Sequence, residues 1–202
     1  MADIQHSIIT DPDVHEPKGI STAPANTTYV ANGAGSGDWT VVDYKVQGQE
    51  VLSGRSYVSQ SPSTTDTSLQ LTFGPAVSAT DAALDAAGNL TILTAGTYQL
   101  VFVLRLARTS ATGEALLGAR WKVNGSTVGG PTAIRLANGG FSVPFSFTTT
   151  RSFSVNDVIT AEIIRDSTGV NNGGVFPAAF VAADWQDAAS AVVIVNKLNA
   201  AL

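Results

Sequence analysis

The stretch TYQLVFVLRLA, residues 97 to 107, holds Leu100, Val101, Phe102, Val103 and Leu104 in an unbroken row. Side chains alternate sides along a strand, so an extended run of this kind is apolar on both faces. It belongs in the middle of a sheet with both faces covered. A second sheet or a neighbouring subunit can supply the second cover.

The flanking sequence has the same character. Short segments rich in Val, Ile, Leu, Thr and Phe are separated by Gly, Asn, Asp and Pro, which predicts an all-β body. The expected strands are TSLQLTF (67 to 73), NLTIL (89 to 93), residues 97 to 107, ALLGARWKV (115 to 123), FSVPFSFTT (141 to 149), DVITAEIIRD (157 to 166), GVFPAAFVAAD (174 to 184) and SAVVIVNKL (190 to 198). In FSVPFSF, Phe141, Val143, Phe145 and Phe147 alternate with Ser142, Pro144 and Ser146, so one face is apolar. Asn124-Gly125 predicts a two-residue hairpin turn with positive φ at both positions. Pro144 and Pro177 lack a ladder donor and predict edges or bulges.

Residues 1 to 45 read differently. Pro12, Pro17 and Pro24 fix φ and extend their predecessors, and GAGSG (33 to 37) is a flexible run. No helical or strand period is evident, so this part is expected to be an extended arm, with residues 46 to 202 as the β body. Six acids (Asp3, Asp11, Asp13, Glu16, Asp38, Asp43) face two bases (Lys18, Lys45) in the arm, which gives it most of the chain's net charge of −5.

Composition excludes several functions. With 202 residues, 44% hydrophobic and 13% charged, the chain suits one globular domain plus an attached segment. There is no cysteine for a disulfide, a thiolate metal site or a nucleophile. No basic cluster is available to neutralise phosphates, so nucleic acid is not an expected partner. The start lacks a signal-peptide pattern, and no window approaches the roughly 18 apolar residues of a membrane span. A soluble protein made in the cytoplasm, with no membrane partner, is expected.

The body resembles C1q/TNF-like jelly rolls. AALDAAGNLTILTAGTYQLVFVLRLA (82 to 107) is similar to the family's stretch leading through AG-x-Y into its longest central strand. ARWKVNGSTVG, FSVNDVITAEIIRD and ASAVVIVNKL are similar to later family strands, with Asn156 where glycine is commoner. The likeness spans roughly residues 67 to 198. It implies a jelly-roll sandwich that forms a homotrimer, with Tyr98, Leu100, Phe102, Leu104, Phe145 and Phe147 as core or trimer-interface residues.

The arm resembles the amino-terminal segment of many tailed-bacteriophage virion proteins, carried by DPDVHEPKGIS (11 to 21) and ANTTYVANGAGSGDW (25 to 39). Val14 stands where isoleucine is common. This resemblance implies a structural virion protein, a head-decoration or head-fibre protein on the outer capsid surface, with the major capsid protein or another virion protein as partner. The expected docking residues are Ile8, Ile9, Val14, Ile20, Tyr29 and Val30 as apolar anchors, with Asp11, Asp13, His15, Glu16 and Lys18 setting orientation. The alternative is a fibre module that recognises a host-surface polysaccharide, with Asn171, Asn172 and Phe176 in the ligand loop.

Reactive chemistry finds little support. Pro12 and Pro17 extend the backbone around Asp11, Asp13, His15 and Glu16, so alternate side chains diverge and no metal site is expected. Both histidines, His6 and His15, lie in the arm, away from any body serine. Glu114, Asp157, Glu162 and Asp166 are expected to be solvated rather than paired for hydrolysis. No enzyme activity and no cofactor are expected. Trp121 and Trp185 are expected to line the core, and Arg105, Arg108, Arg120 and Arg165 to form ion pairs.

Overall fold

The structure, a computed structural model, describes residues 27–31, 37–41, 49–108, 113–137, 142–167, 173–182 and 184–198. The chain divides into two compact units, Met1–Lys45 and Val46–Leu202.

In the first unit, β1 (Thr27–Ala31) and β2 (Gly37–Val41) pair antiparallel, with Tyr29 in register with Trp39 and Val30 with Asp38. The arm, read as extended and without a strand period, thus carries one short hairpin. TTYVA is β-branched and aromatic, and its five residues are too few for a period to stand out. The expected docking residues Ile8 to Ile20 lie outside the described residues, as do His6 and His15.

The second unit carries β3 (Gln49–Ser56), β4 (Ser68–Gln70), β5 (Val77–Ser78), β6 (Ala82–Leu84), β7 (Leu90–Ile92), β8 (Gly96–Arg108), β9 (Ala115–Val123), β10 (Ser126–Leu136), β11 (Ser142–Phe153), β12 (Val158–Asp166), β13 (Gly173–Val175) and β14 (Ala191–Leu198). One sheet runs β11-β8-β14-β3, and β13 pairs with the far end of β8. The other runs β10-β9-β12-β7-β6-β5, with β4 also on β12. All pairings are antiparallel, and the chain passes repeatedly between the two sheets, which makes the body an all-β jelly-roll sandwich.

The central strand has one of its two apolar faces covered by the other sheet. β8 lies between β11 and β14 and sends Tyr98, Leu100, Phe102, Leu104 and Leu106 into the core, all at most 2% exposed. Leu117, Ala119 and Trp121 of β9 and Ile159, Ala161 and Ile163 of β12 cover them from the other sheet. Phe73 and Phe102 rings stand 5.6 Å apart, and Phe153 meets the edges of Tyr98 and Trp121.

Turn chemistry also holds. Asn124 (φ 50°) and Gly125 (φ 79°) form the two-residue link between β9 and β10. Asn156 has φ 69°, a left-handed conformation that asparagine tolerates better than most residues. Pro144 sits on β11, an edge strand.

Two strand expectations need correction. Of residues 174 to 184 only the start is strand, because β13 ends at Val175 and Pro177 cannot continue the ladder. Conversely, β10 forms across Gly129, Gly130 and Pro131 by a register shift between Val128 and Thr132, a bulge that absorbs the missing donor.

Candidate functional site

Alternation on β8 splits the central strand's residues between two tasks. Tyr98, Leu100, Phe102 and Leu104 are spent on the protomer's own core, and Phe145 and Phe147 of β11, half-buried, pack against that core from the sheet edge. The opposite face of the sheet points away from that core. It presents Val101 and Val103 of β8 beside Ile194 and Val192 of β14, in register and all half-buried. Exposed Ser146, Thr148 and Thr150 of β11 continue the face as small hydroxyls. At one end of it Val103, Arg105, Pro144, Ala189 and Val192 line a depression of about 280 Å³. At the other, Asn196 Nδ2 donates to Gln99 Oε1 at 3.3 Å.

Tyr98 shows how firmly the inner face is fixed. Its hydroxyl donates to the Thr94 carbonyl at 2.6 Å. Burial, with the nearby Asp81 charge, pushes its pKa up to about 12. Asp81 itself accepts from Lys197 Nζ at 2.6 Å.

The outer face of the other sheet holds a charged cluster. Glu162 is 8% exposed, and its carboxylate accepts from Arg120 Nε at 2.9 Å and Nη2 at 2.8 Å, and from Lys122 Nζ at 2.6 Å. Burial pushes the Glu162 carboxyl up, but the hydrogen bonds and charges of Lys122 and Arg120 outweigh it and hold the pKa below its usual value. Gly118, Arg120, Thr127, Pro131, Glu162 and Ile164 border a groove of about 290 Å³ here. The expectation of a solvated Glu162 is thus corrected. Its partners come from β9, and Glu162 and Arg120 stand in direct register 42 residues apart. Glu114 pairs with Arg135, and Asp157 accepts from Asn124 Nδ2 and the Ser154 amide. Among the described residues no group of three or more His, Asp or Glu is placed to hold a metal ion.

The arginine expectation is met by Arg120 and not by Arg105. Arg105 donates to the carbonyls of Phe176 and Pro177 and to Ser142 Oγ, pinning the segment after β13 to the sheet. Arg108 and Arg165 are buried, at 8% and 9% exposure.

Trp121 lines the core as expected, but Trp185 does not. It is 64% exposed, on an excursion between β13 and β14 whose root is the Ala178–Ala188 bridge. Its ring stands 5.4 Å from that of Phe180, itself 47% exposed, with fully exposed Val181 nearby in sequence. The Trp185 amide donates to the Ala182 carbonyl and the Phe180 amide to Asp187 Oδ1, so local bonds shape the excursion. Ser190 Oγ donates to the Val58 carbonyl, which brings exposed Tyr57 and Val58 to the same root. The signal in the sequence was the polar setting of the tryptophan, Asp184-Trp185-Gln186-Asp187, which no buried strand would carry. Of the expected ligand loop, Phe176 is half-buried beside β8, while Asn171 and Asn172 lie outside the described residues.

These features define an all-β jelly-roll module with an aliphatic sheet face and an exposed aromatic excursion. No protein-family model matches the chain, and no curated protein matches it. Among solved structures it is similar to the globular domain of zebrafish complement 1qA protein, at 13% identity and a TM-score of 0.39, over 71% of this chain and 92% of that one.

Proposed function

We propose that the protein is a homotrimeric head-fibre protein that decorates a bacteriophage capsid. Its amino-terminal arms hold it to the major capsid protein or another virion protein, and its jelly-roll bodies project outward from the outer capsid surface. The observation that carries this reading is the aliphatic outer face of β8 and β14. Val101, Val103, Val192 and Ile194 form a contiguous patch that a second copy can cover, with small hydroxyl side chains around it that lose little entropy on burial. The virion partner is supported by the arm's resemblance to phage attachment segments, and three linked arms convert weak single contacts into firm attachment.

The test compares the full chain with a version limited to residues 46–202. By light scattering both should have the mass of a trimer, and in sedimentation with capsids only the full chain should travel with them. Capsid binding by the shortened protein would sink the proposal.

A second reading, a fibre module that binds host-surface polysaccharide, is favoured by the Phe180–Trp185 pair, since an exposed indole can stack on the apolar face of a sugar ring. Trp185→Ala should then abolish retention of the trimer on host cells without changing its melting temperature. If the unaltered trimer is not retained, this reading is wrong.

A further inference from the structure

Gly118 leaves a hollow in the outer face of the sheet that carries β9, β10 and β12. It faces outward from β9 with no side chain, and a Cβ placed there would stand 3.0 Å from Cγ2 of Ile164, its partner in register on β12. On the other flank Ala133 is in register with Gly118, and Pro131 sits in the bulge of β10. The row across the sheet is thus low in the middle and walled by an isoleucine and a proline. It forms the floor of the groove of about 290 Å³ that Arg120 and Glu162 border, a size suited to one small molecule.

The floor is apolar and the rim is polar. Ser68 of β4 and Thr127 of β10 line the groove from opposite sides, and neither hydroxyl is hydrogen-bonded to a described residue. Arg120 directs Nε and Nη2 to one oxygen of Glu162, and its Nη1 has no partner among the described residues. Lys122 takes the other oxygen. Two cations therefore face one carboxylate, and the cluster keeps a single positive charge. Farther along this face Arg135 is paired with Glu114. Asp166, one outward step beyond Ile164, does not line the groove and is not without a partner.

We infer that this groove is a binding site for a small carboxylic acid with a compact apolar body, its carboxylate received by Arg120 and its body laid on Gly118 and Ile164. The open edge of the guanidinium, Nη1 with the second hydrogen of Nη2, is a planar fork that matches the two oxygens of a carboxylate. One surplus charge suits a monoanion, whereas a dianionic phosphate would bring a further negative charge beside Glu162. Asp166 sets the direction, because repulsion keeps the carboxylate at the Arg120 end. A free cyclic acid and a uronic acid unit of a polysaccharide both offer this chemistry. The groove lies on the other sheet from the face assigned to self-association, so the inference does not depend on the trimer.

The test is isothermal titration of the full chain with sodium cyclohexanecarboxylate, sodium glucuronate, sodium acetate and neutral cyclohexanemethanol. The two cyclic acids carry both charge and body, acetate the charge alone, and the alcohol the body alone. At least one cyclic acid should bind saturably, one per chain, and about tenfold or more tighter than acetate and the alcohol. Cyclohexanecarboxylate in the lead marks a free apolar acid, and glucuronate a sugar acid. Gly118→Val fills the floor and leaves the charges in place, and Arg120→Lys keeps the charge without the fork. Each should weaken the preferred acid by about tenfold or more, with the β body intact by circular dichroism. Arg120→Lys, at a half-exposed position, decides the matter even if Gly118→Val does not fold. No saturable binding of either cyclic acid, acetate or the alcohol binding as tightly as both, or undiminished binding by Arg120→Lys or by folded Gly118→Val would overturn the site.

Discussion

Phe102→Ala should lower the unfolding free energy of the body by about 3–5 kcal/mol, the range for truncating a fully buried aromatic ring. Phe102 is 2% exposed, stacks on Phe147 with ring centres 4.9 Å apart, and meets Phe73 from across the sandwich. Its removal leaves a void between the sheets that rigid, in-register strands on both sides cannot close. Urea unfolding at fixed protein concentration measures the loss, since the proposed self-association would make stability depend on concentration. The adjacent Val103 gives the control. It faces out of the sandwich, so Val103→Ala should cost the isolated body far less than Phe102→Ala. Equal losses at the two positions would mean that the strand's faces are assigned the wrong way round.

That assignment shows how far the sequence could be read. An apolar row at 100 to 104 required a strand with neighbours on both edges, and it lies between β11 and β14 in its sheet, with Leu100, Phe102 and Leu104 covered by the other sheet. Alternation in 141 to 147 gave the inner set Phe145 and Phe147, and Asn124-Gly125 gave its hairpin, because both signals act between near neighbours. What periodicity could not say was which side of β8 met the partner sheet of the same protomer. Parity relative to another strand is a long-range fact, visible only once Phe102 stands beside Phe147 and Val193. The Glu162 cluster was hidden for the same reason, since register places its carboxylate next to Arg120 from a distant strand. The burial of Arg165 was not legible either: it was read as an ion-pairing arginine at a strand end, and only the inward parity of β12 takes it out of solvent. Short strands such as β5 and β6, two and three residues long, carry too little pattern to be recognised without their neighbours.

On the proposed trimer, the double replacement Val101→Asp with Ile194→Asp should leave the protein a monomer. The two residues are in register on adjacent strands, so the carboxylates would stand side by side at the centre of the aliphatic face. Closing a trimer over them would bury like charges together, at several kcal/mol per ion, repeated in every copy. The inner face of each strand is untouched, so far-ultraviolet circular dichroism should still report the β body. The larger consequence lies in attachment. A monomer keeps its arm and loses the avidity of three linked arms, which is worth about 10²–10⁴ in apparent affinity, so co-sedimentation with capsids should fall by that order although every arm residue is intact. Light scattering together with capsid sedimentation on this one variant therefore separates the two halves of the proposed function. A trimer that persists would place self-association on another surface. A monomer that still binds capsids undiminished would show that each arm suffices by itself.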